Sequence, residues 1–185
     1  MSISASSLII TIGDSTSNSY VTLQEFIDYR DLNRINADAF DNASADDKVR
    51  SLIMAARKLN VLNWRGGKVN STQFLAWPRL DVPIKDSTLA GYSSLNGFPS
   101  VYQNDYYFGD YYQGSEIPSI IKDVQCELAI AYLEGFEEVE GQRIKEFGVD
   151  GVRVVYTTNS SPGLLPVRIS QMLSGLLAGE RLVRG

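Results

Sequence analysis

Ile117-Pro118-Ser119-Ile120-Ile121-Lys122-Asp123-Val124-Gln125-Cys126-Glu127-Leu128-Ala129-Ile130-Ala131-Tyr132-Leu133 is the stretch that decides the fold. Pro118 stands near the first helical position, where a missing N–H removes no helical hydrogen bond. Ile117, Ile120, Ile121, Val124, Leu128, Ala131 and Tyr132 follow the helical period, and Ala129, Ile130 and Leu133 widen the stripe. A stripe that broad is buried on more than one side, so the spacing predicts the central helix of an α-rich domain. Glu134 to Glu140 then reads as the solvated end of that helix, with an acidic channel lining as the alternative.

Working upstream, Ser44 followed by Asp46 and Asp47 is an N-cap with acids facing the positive helix end. Val49, Leu52, Ile53, Ala56 and Leu59 continue at helical spacing, which predicts a helix over about residues 45–62. Thr22 and Glu25 have the spacing of a capping box, and Val21 and Phe26 that of its hydrophobic staple, opening a helix over about residues 23–32. Asp14 to Glu25 is a poor calcium loop, because Thr16 and Asn18 replace carboxylates and Ser19 replaces the turn glycine. The β-branched run Leu8-Ile9-Ile10-Thr11-Ile12, ended by Gly13-Asp14, reads as a strand. Trp64-Arg65-Gly66-Gly67-Lys68 is a turn whose glycine spacing does not suit a phosphate loop. In Phe74-Leu75-Ala76-Trp77-Pro78-Arg79 the proline forces Trp77 out of helix, and the two rings are expected to lie on the helical core.

Downstream, Asp150-Gly151 between the alternating runs Ile144 to Val149 and Val152 to Thr157 predicts a β-hairpin. Pro166 leads into a last helix carrying Val167, Met172, Leu173, Leu176 and Leu177. Residues 80–116 differ in composition: eight aromatics fall in the 21 positions from Tyr92 to Tyr112, among Gly, Asn, Asp and Ser. Such a segment makes a contact surface, either folded back on its own domain or set against another subunit. Tyr102, Tyr106, Tyr107, Phe108, Tyr111 and Tyr112 are the candidates for an inter-subunit or ring contact. The expected fold is mainly α (α+β): a bundle of about four helices with a small antiparallel hairpin and a long aromatic-rich loop. Residues 1–179 form one domain, and residues 180–185 a short amphipathic tail.

Composition narrows the function. The 185 residues include 17 Lys and Arg against 22 Asp and Glu, one cysteine and no histidine. Without histidine there is no Ser-His-Asp or Cys-His pair, no histidine metal ligand and no imidazole acid or base. Carboxylate, Lys and Tyr groups show no spacing that chemistry would require, so neither enzyme activity nor a cofactor is expected. Cys126 lies within an apolar run and reads as a core thiol. Apolar runs are short and the N-terminus lacks a basic region, which argues against secretion and membrane spanning. The net charge of -5 argues against a groove that grips phosphates.

Three blocks in order carry a resemblance: Ser19-Tyr20-Val21-Thr22-Leu23-Gln24-Glu25; Leu52-Ile53-Met54-Ala55-Ala56-Arg57 with Gln73-Phe74-Leu75-Ala76-Trp77-Pro78-Arg79; and Ile117-Pro118 with Val124-Gln125-Cys126-Glu127-Leu128-Ala129. Together they resemble the head-to-tail adaptor (connector) proteins of tailed phages, some described as DnaT-like single-stranded DNA-binding proteins. The resemblance implies a virion neck protein, made in the host cytoplasm, that forms a homo-oligomeric ring of twelve below the portal protein. It further implies a stopper or tail-completion protein as distal partner, and double-stranded DNA passing the lumen without sequence-specific binding. On that reading Arg181, Leu182, Val183 and Arg184 dock on the portal, and Glu137, Glu138 and Glu140 face the lumen. The alternative is a single-stranded DNA-binding protein that stacks bases on the tyrosines and holds phosphates with Arg65, Lys68 and Arg79.

Overall fold

The computed structural model describes residues 4–84, 111–136, 147–149, 152–154 and 165–178. After a 3-10 turn at Ala5–Ser7 come α1 (Leu23–Asn33), α2 (Asp38–Asn42) and α3 (Ala45–Asn60). Strand β1 (Gly67–Lys68) pairs antiparallel with β2 (Arg79–Leu80), Gly67 opposite Leu80 and Lys68 opposite Arg79. Helix α4 (Ser119–Leu133) follows, then β3 (Phe147–Val149), β4 (Val152–Val154) and α5 (Val167–Met172). The fold is mainly helical with small antiparallel pairs, as the periodicity predicts.

Helix α4 is the axis. Every residue from Val124 to Ile130 is buried, and the helix packs along α3 while also meeting α1, α2 and α5. Leu52, Leu59, Ile121 and Leu128 fill the seam, each worth roughly 2 kcal/mol of apolar burial. Cys126 is buried among them, and burial, reinforced by the charges of Asp123, Glu25 and Glu127, pushes its thiol far above the ordinary range. The thiol is therefore protonated and inert, in keeping with a core role.

Two polar side chains of α4 are buried with the rest. Gln125 accepts from the Tyr20 N–H at 2.8 Å and donates to the Ser19 hydroxyl at 2.8 Å and the Leu52 carbonyl at 2.9 Å. Tyr20 in turn accepts from the Trp77 N–H at 3.2 Å through its hydroxyl. The three blocks of the resemblance thus converge on one hydrogen-bonded knot. Glu127 accepts from the Tyr29 hydroxyl at 2.8 Å and pairs with Arg34 and, at 3.0 Å, with Arg168, tying α4 to α1, its C-cap and α5.

The caps form as read. Thr22 Oγ1 accepts from the Glu25 N–H at 3.1 Å and Glu25 returns the bond to the Thr22 N–H at 2.7 Å, while Ser44 accepts from the Asp47 N–H at 3.1 Å. Glu25 also meets Lys122 of α4 at 2.9 Å. Hairpin β3–β4 pairs Val149 with Val152 around Asp150-Gly151, as the dipeptide predicts.

Four expectations are corrected. Leu8 to Ile12 is not a strand, because the Ile9 backbone bonds to Asn18 instead: its N–H to Asn18 Oδ1 at 2.8 Å, its carbonyl to the Asn18 N–H at 2.9 Å. That asparagine folds the run into a loop before a ladder can form. The second ring on the core beside Trp77 is Trp64 and not Phe74. Trp64 and Trp77 meet edge to face at 5.7 Å, whereas Phe74 is 51% exposed. Pro118 is the N-cap of α4, one position earlier than read. Helix α5 ends at Met172, after which turns carry Leu173 and Leu176 into the core.

Gln125→Met keeps volume and helix propensity but strands the buried Tyr20 N–H and removes the second bond to the Leu52 carbonyl, so urea unfolding should show a loss of about 2 kcal/mol; an unmoved midpoint would refute the knot. Burial pushes the Glu25 carboxyl upward, but the Thr22 bonds and Lys122 outweigh it and hold its pKa below the ordinary 4.5. Its stabilising contribution is present above pH 4.5 and lost as pH falls through the lowered value. Glu25→Gln keeps the capping geometry without the charge, and its stability should fall less steeply than the native chain's below pH 4.5.

Candidate functional site

Charge is not evenly spread along the chain. From Lys48 to Leu80 there are seven Lys and Arg (Lys48, Arg50, Arg57, Lys58, Arg65, Lys68 and Arg79) and no Asp or Glu. All 22 acids and the other ten basic residues lie elsewhere. A net charge of -5 is therefore +7 in one block against -12 outside it.

The fold brings the ends of this block together. Lys68 and Arg79 are cross-strand partners in β1–β2, and Arg79 donates from Nε to the Arg65 carbonyl at 2.7 Å and from Nη2 to the Gly66 carbonyl at 2.6 Å. Gly66 has φ 66°, and a Cβ there would collide with the Leu80 carbonyl, so only glycine lets Arg65 and β1 turn so tightly under β2. Arg65 donates from Nε to the Leu177 carbonyl at 3.1 Å, against the segment that follows α5. Lys68 Nζ reaches the carbonyls of Gln73 and Phe74 at 3.1 and 3.2 Å.

These bonds go to neutral carbonyls, so among the described residues the charges stay uncompensated. Among the described residues, Arg57, Arg65, Lys68 and Arg79 have no carboxylate partner, whereas Arg50 is paired with Asp47 at 2.9 Å. Burial pulls the Arg79 pKa down, yet a guanidinium stays charged. Each cation keeps spare N–H donors: Lys68 one of three, Arg79 two of five and Arg65 four of five.

Phe74 stands beside them. Its N–H donates to the Asp14 carbonyl at 3.2 Å, and its carbonyl receives Asn60 Nδ2 at 3.3 Å and Lys68 Nζ at 3.2 Å. Asn60 also accepts from the Ala76 N–H at 2.6 Å, so α3 clamps the whole extended segment. The backbone is fixed while the ring is presented to solvent. Beside it opens a cleft of about 160 Å³ between α3 and the turn at Ser15 to Asn18, lined by Ile53, Arg57, Phe74 and Leu75. It is too small for a cofactor-sized ligand.

Of the residues singled out from sequence, Arg65, Lys68 and Arg79 are brought together on one hairpin. Tyr111 and Tyr112 lie at the base of the aromatic segment: Tyr111 bridges to Pro83, and the Tyr112 ring meets Trp77 edge to face at 5.7 Å. Tyr112 thus rests on the chain's own core. Tyr102, Tyr106, Tyr107 and Phe108, the acidic trio Glu137, Glu138 and Glu140, and the tail Arg181, Leu182, Val183 and Arg184 lie outside the described residues. Sequence reasoning missed Arg57 and Phe74. The signal for the first was the absence of acids between Asp47 and Asp81; the second has none, because Phe74 and Trp77 look alike in a short apolar run.

Residues 7–91, less than half of the chain, match a family described as "Putative DnaT-like ssDNA binding protein". No curated protein and no solved structure matches the chain. The matched stretch contains the whole acid-free block, Phe74 and the cleft.

Because Phe74 is only about half covered, Phe74→Ala should cost no more than about 1–2 kcal/mol of unfolding stability. Trp77→Ala, three positions away, should cost about 3–5 kcal/mol. Equal losses in thermal unfolding would show that Phe74 is a core residue and remove it from the site.

Proposed function

We propose that this chain binds single-stranded DNA through the face bearing Arg57, Arg65, Lys68, Arg79 and Phe74. The observation that carries the reading is the acid-free block, four of whose cations lack carboxylate partners among the described residues, with two of them, Arg57 and Lys68, beside an exposed aromatic on a clamped backbone. Cations without internal neutralisation bind phosphates with release of counterions, and an aromatic ring gives a base a stacking partner. The family matched by residues 7–91 supports the same reading. The acidic remainder of the molecule disfavours non-specific wrapping and confines a polyanion to one face.

The test is fluorescence anisotropy of a labelled oligo-dT with the full chain over a salt series. Four phosphate contacts give a slope of log K against log salt of about -3. No binding at low salt would sink the reading.

A second reading, a ring-forming adaptor between phage head and tail, is favoured by one observation: Ile117 to Ala129, beyond the matched residues, folds into the same core as the two earlier blocks of that resemblance. Mass measurement and negative-stain imaging, alone and with portal protein, decide it. A closed ring supports it; a monomer under both conditions eliminates it.

A further inference from the structure

The geometry points to the open mouth of the cleft beside Phe74 as a seat for one unstacked nucleotide, held on the surface rather than enclosed and blind to base identity, with the base on the Phe74 ring and its phosphate on Arg57 and Lys68. The inference rests on the single-stranded DNA reading and adds which residues make it selective for single strands and why it does not read sequence.

Three observations locate the seat. Phe74 is held by its backbone from three sides, by the Asp14 carbonyl, Asn60 and Lys68, yet the residue is 51% exposed and lines the cleft. A half-exposed ring on a fixed backbone is offered to a face-on partner from a defined position, which lowers the cost of binding. Arg57 lines the same cleft, is exposed on α3, and has no hydrogen-bond or carboxylate partner among the described residues. The Lys68 ammonium, fixed at 3.2 Å from the Phe74 carbonyl, keeps one donor for a phosphate oxygen.

A carboxylate just outside the cleft bears on the orientation. Asp14, whose carbonyl accepts from the Phe74 N–H at 3.2 Å, also accepts at its carboxylate from the Thr16 hydroxyl at 2.6 Å and the Thr16 N–H at 2.7 Å, and these bonds hold the carboxyl below the ordinary pKa. It is an anion at neutral pH, which favours a phosphate on the Arg57 and Lys68 side.

The same turn explains tolerance of base identity. Asn18 donates to the Ser7 carbonyl at 2.8 Å and accepts from the Ile9 N–H at 2.8 Å, using both ends of its amide. Thr16 is spent on Asp14, and the Ser17 hydroxyl on the Thr11 carbonyl. Three of the four polar side chains that the turn gives the cleft are thus engaged in holding their own loop, with Ser15 the exception, whereas every base has a face to stack. A duplex keeps those faces stacked and paired, so the seat selects single strands.

The experiment compares the full-length chain with Phe74→Ala, Phe74→Trp and Arg57→Ala, using labelled dT, dA and dC oligomers and a blunt duplex. Phe74→Ala should weaken binding of every single strand by about five- to a hundredfold. Phe74→Trp should retain affinity, and its new exposed indole should be quenched on oligomer addition. Arg57→Ala should lower the salt slope by about 0.7. Native binding with unchanged affinity in Phe74→Ala and no indole quenching would overturn the seat while leaving single-stranded DNA binding intact. Absence of native binding to any single strand would overturn both. A tenfold or larger preference among dT, dA and dC, or equal affinity for the duplex, would overturn the claimed blindness or the strand selectivity.

Discussion

The middle of α4, from Val124 to Ile130, is buried on every side and has no wet face on which to place a polar residue, yet it carries Gln125 and Glu127 inside the molecule. Each must find its partners in other elements or leave an uncompensated group in a low-dielectric interior. The two positions point to different sides of the helix, so the demands fall on different neighbours. Gln125 requires Ser19, Tyr20 and Leu52; Glu127 requires Tyr29, Arg34 and Arg168. Apolar burial alone would let α3 slide or rotate on α4 at small cost. An amide that must meet one carbonyl of α3 and one N–H of the preceding loop permits a single register.

That register places the exposed face. Once Tyr20 is fixed by Gln125, its hydroxyl fixes the Trp77 N–H, and Trp77 locks against Trp64 and Tyr112. Trp64 opens the turn that leads through Arg65 and Gly66 into β1, and Trp77 leads through Pro78 into β2. The buried aromatic pair therefore sets the hairpin on which Arg65, Lys68 and Arg79 stand. Asn60, in the last turn of α3, draws in Ala76 and Phe74 from the other side. With Trp77 turned inward and Asn60 pulling on the Phe74 carbonyl, the Phe74 ring has only the solvent side left. An exposed aromatic among cations is in this sense a product of the same knot that makes the core.

What could be read from the sequence was whatever a local rule determines. The Thr22–Glu25 box, the Ser44 cap, the breadth of the α4 stripe and the Asp150-Gly151 hairpin depend on residues within a few positions of one another, and all four were legible. Leu8 to Ile12 was not, because its fate depends on Asn18 and Ser17 folding back onto it, and strand propensity competes poorly with a side chain that satisfies the backbone directly. Helix α2 shows no apolar period in five residues and is held by Phe40, which meets Phe26 edge to face at 5.0 Å. The site was hidden differently. Net charge is an average, and averaging over 185 residues masked a block of seven cations without an acid.

The same distinction separates the two functional readings. The resembling blocks consist mainly of residues the core uses: Tyr20, Val21, Leu52, Ala55, Ala56, Gln73, Leu75, Trp77, Val124, Gln125 and Leu128 are all buried. A likeness carried by buried residues concerns the fold, and one fold hosts many activities. Arg57 and Phe74 sit inside those blocks but, being exposed, contribute less to the packing than their buried neighbours. A solvated guanidinium or a single exposed ring is ordinary on a protein surface; what sets these two apart is that they line the same cleft. Neither feature is needed to extend a smooth conduit, whose wall should repel phosphates. Both are what a surface needs if it holds a nucleotide by its charge and its face.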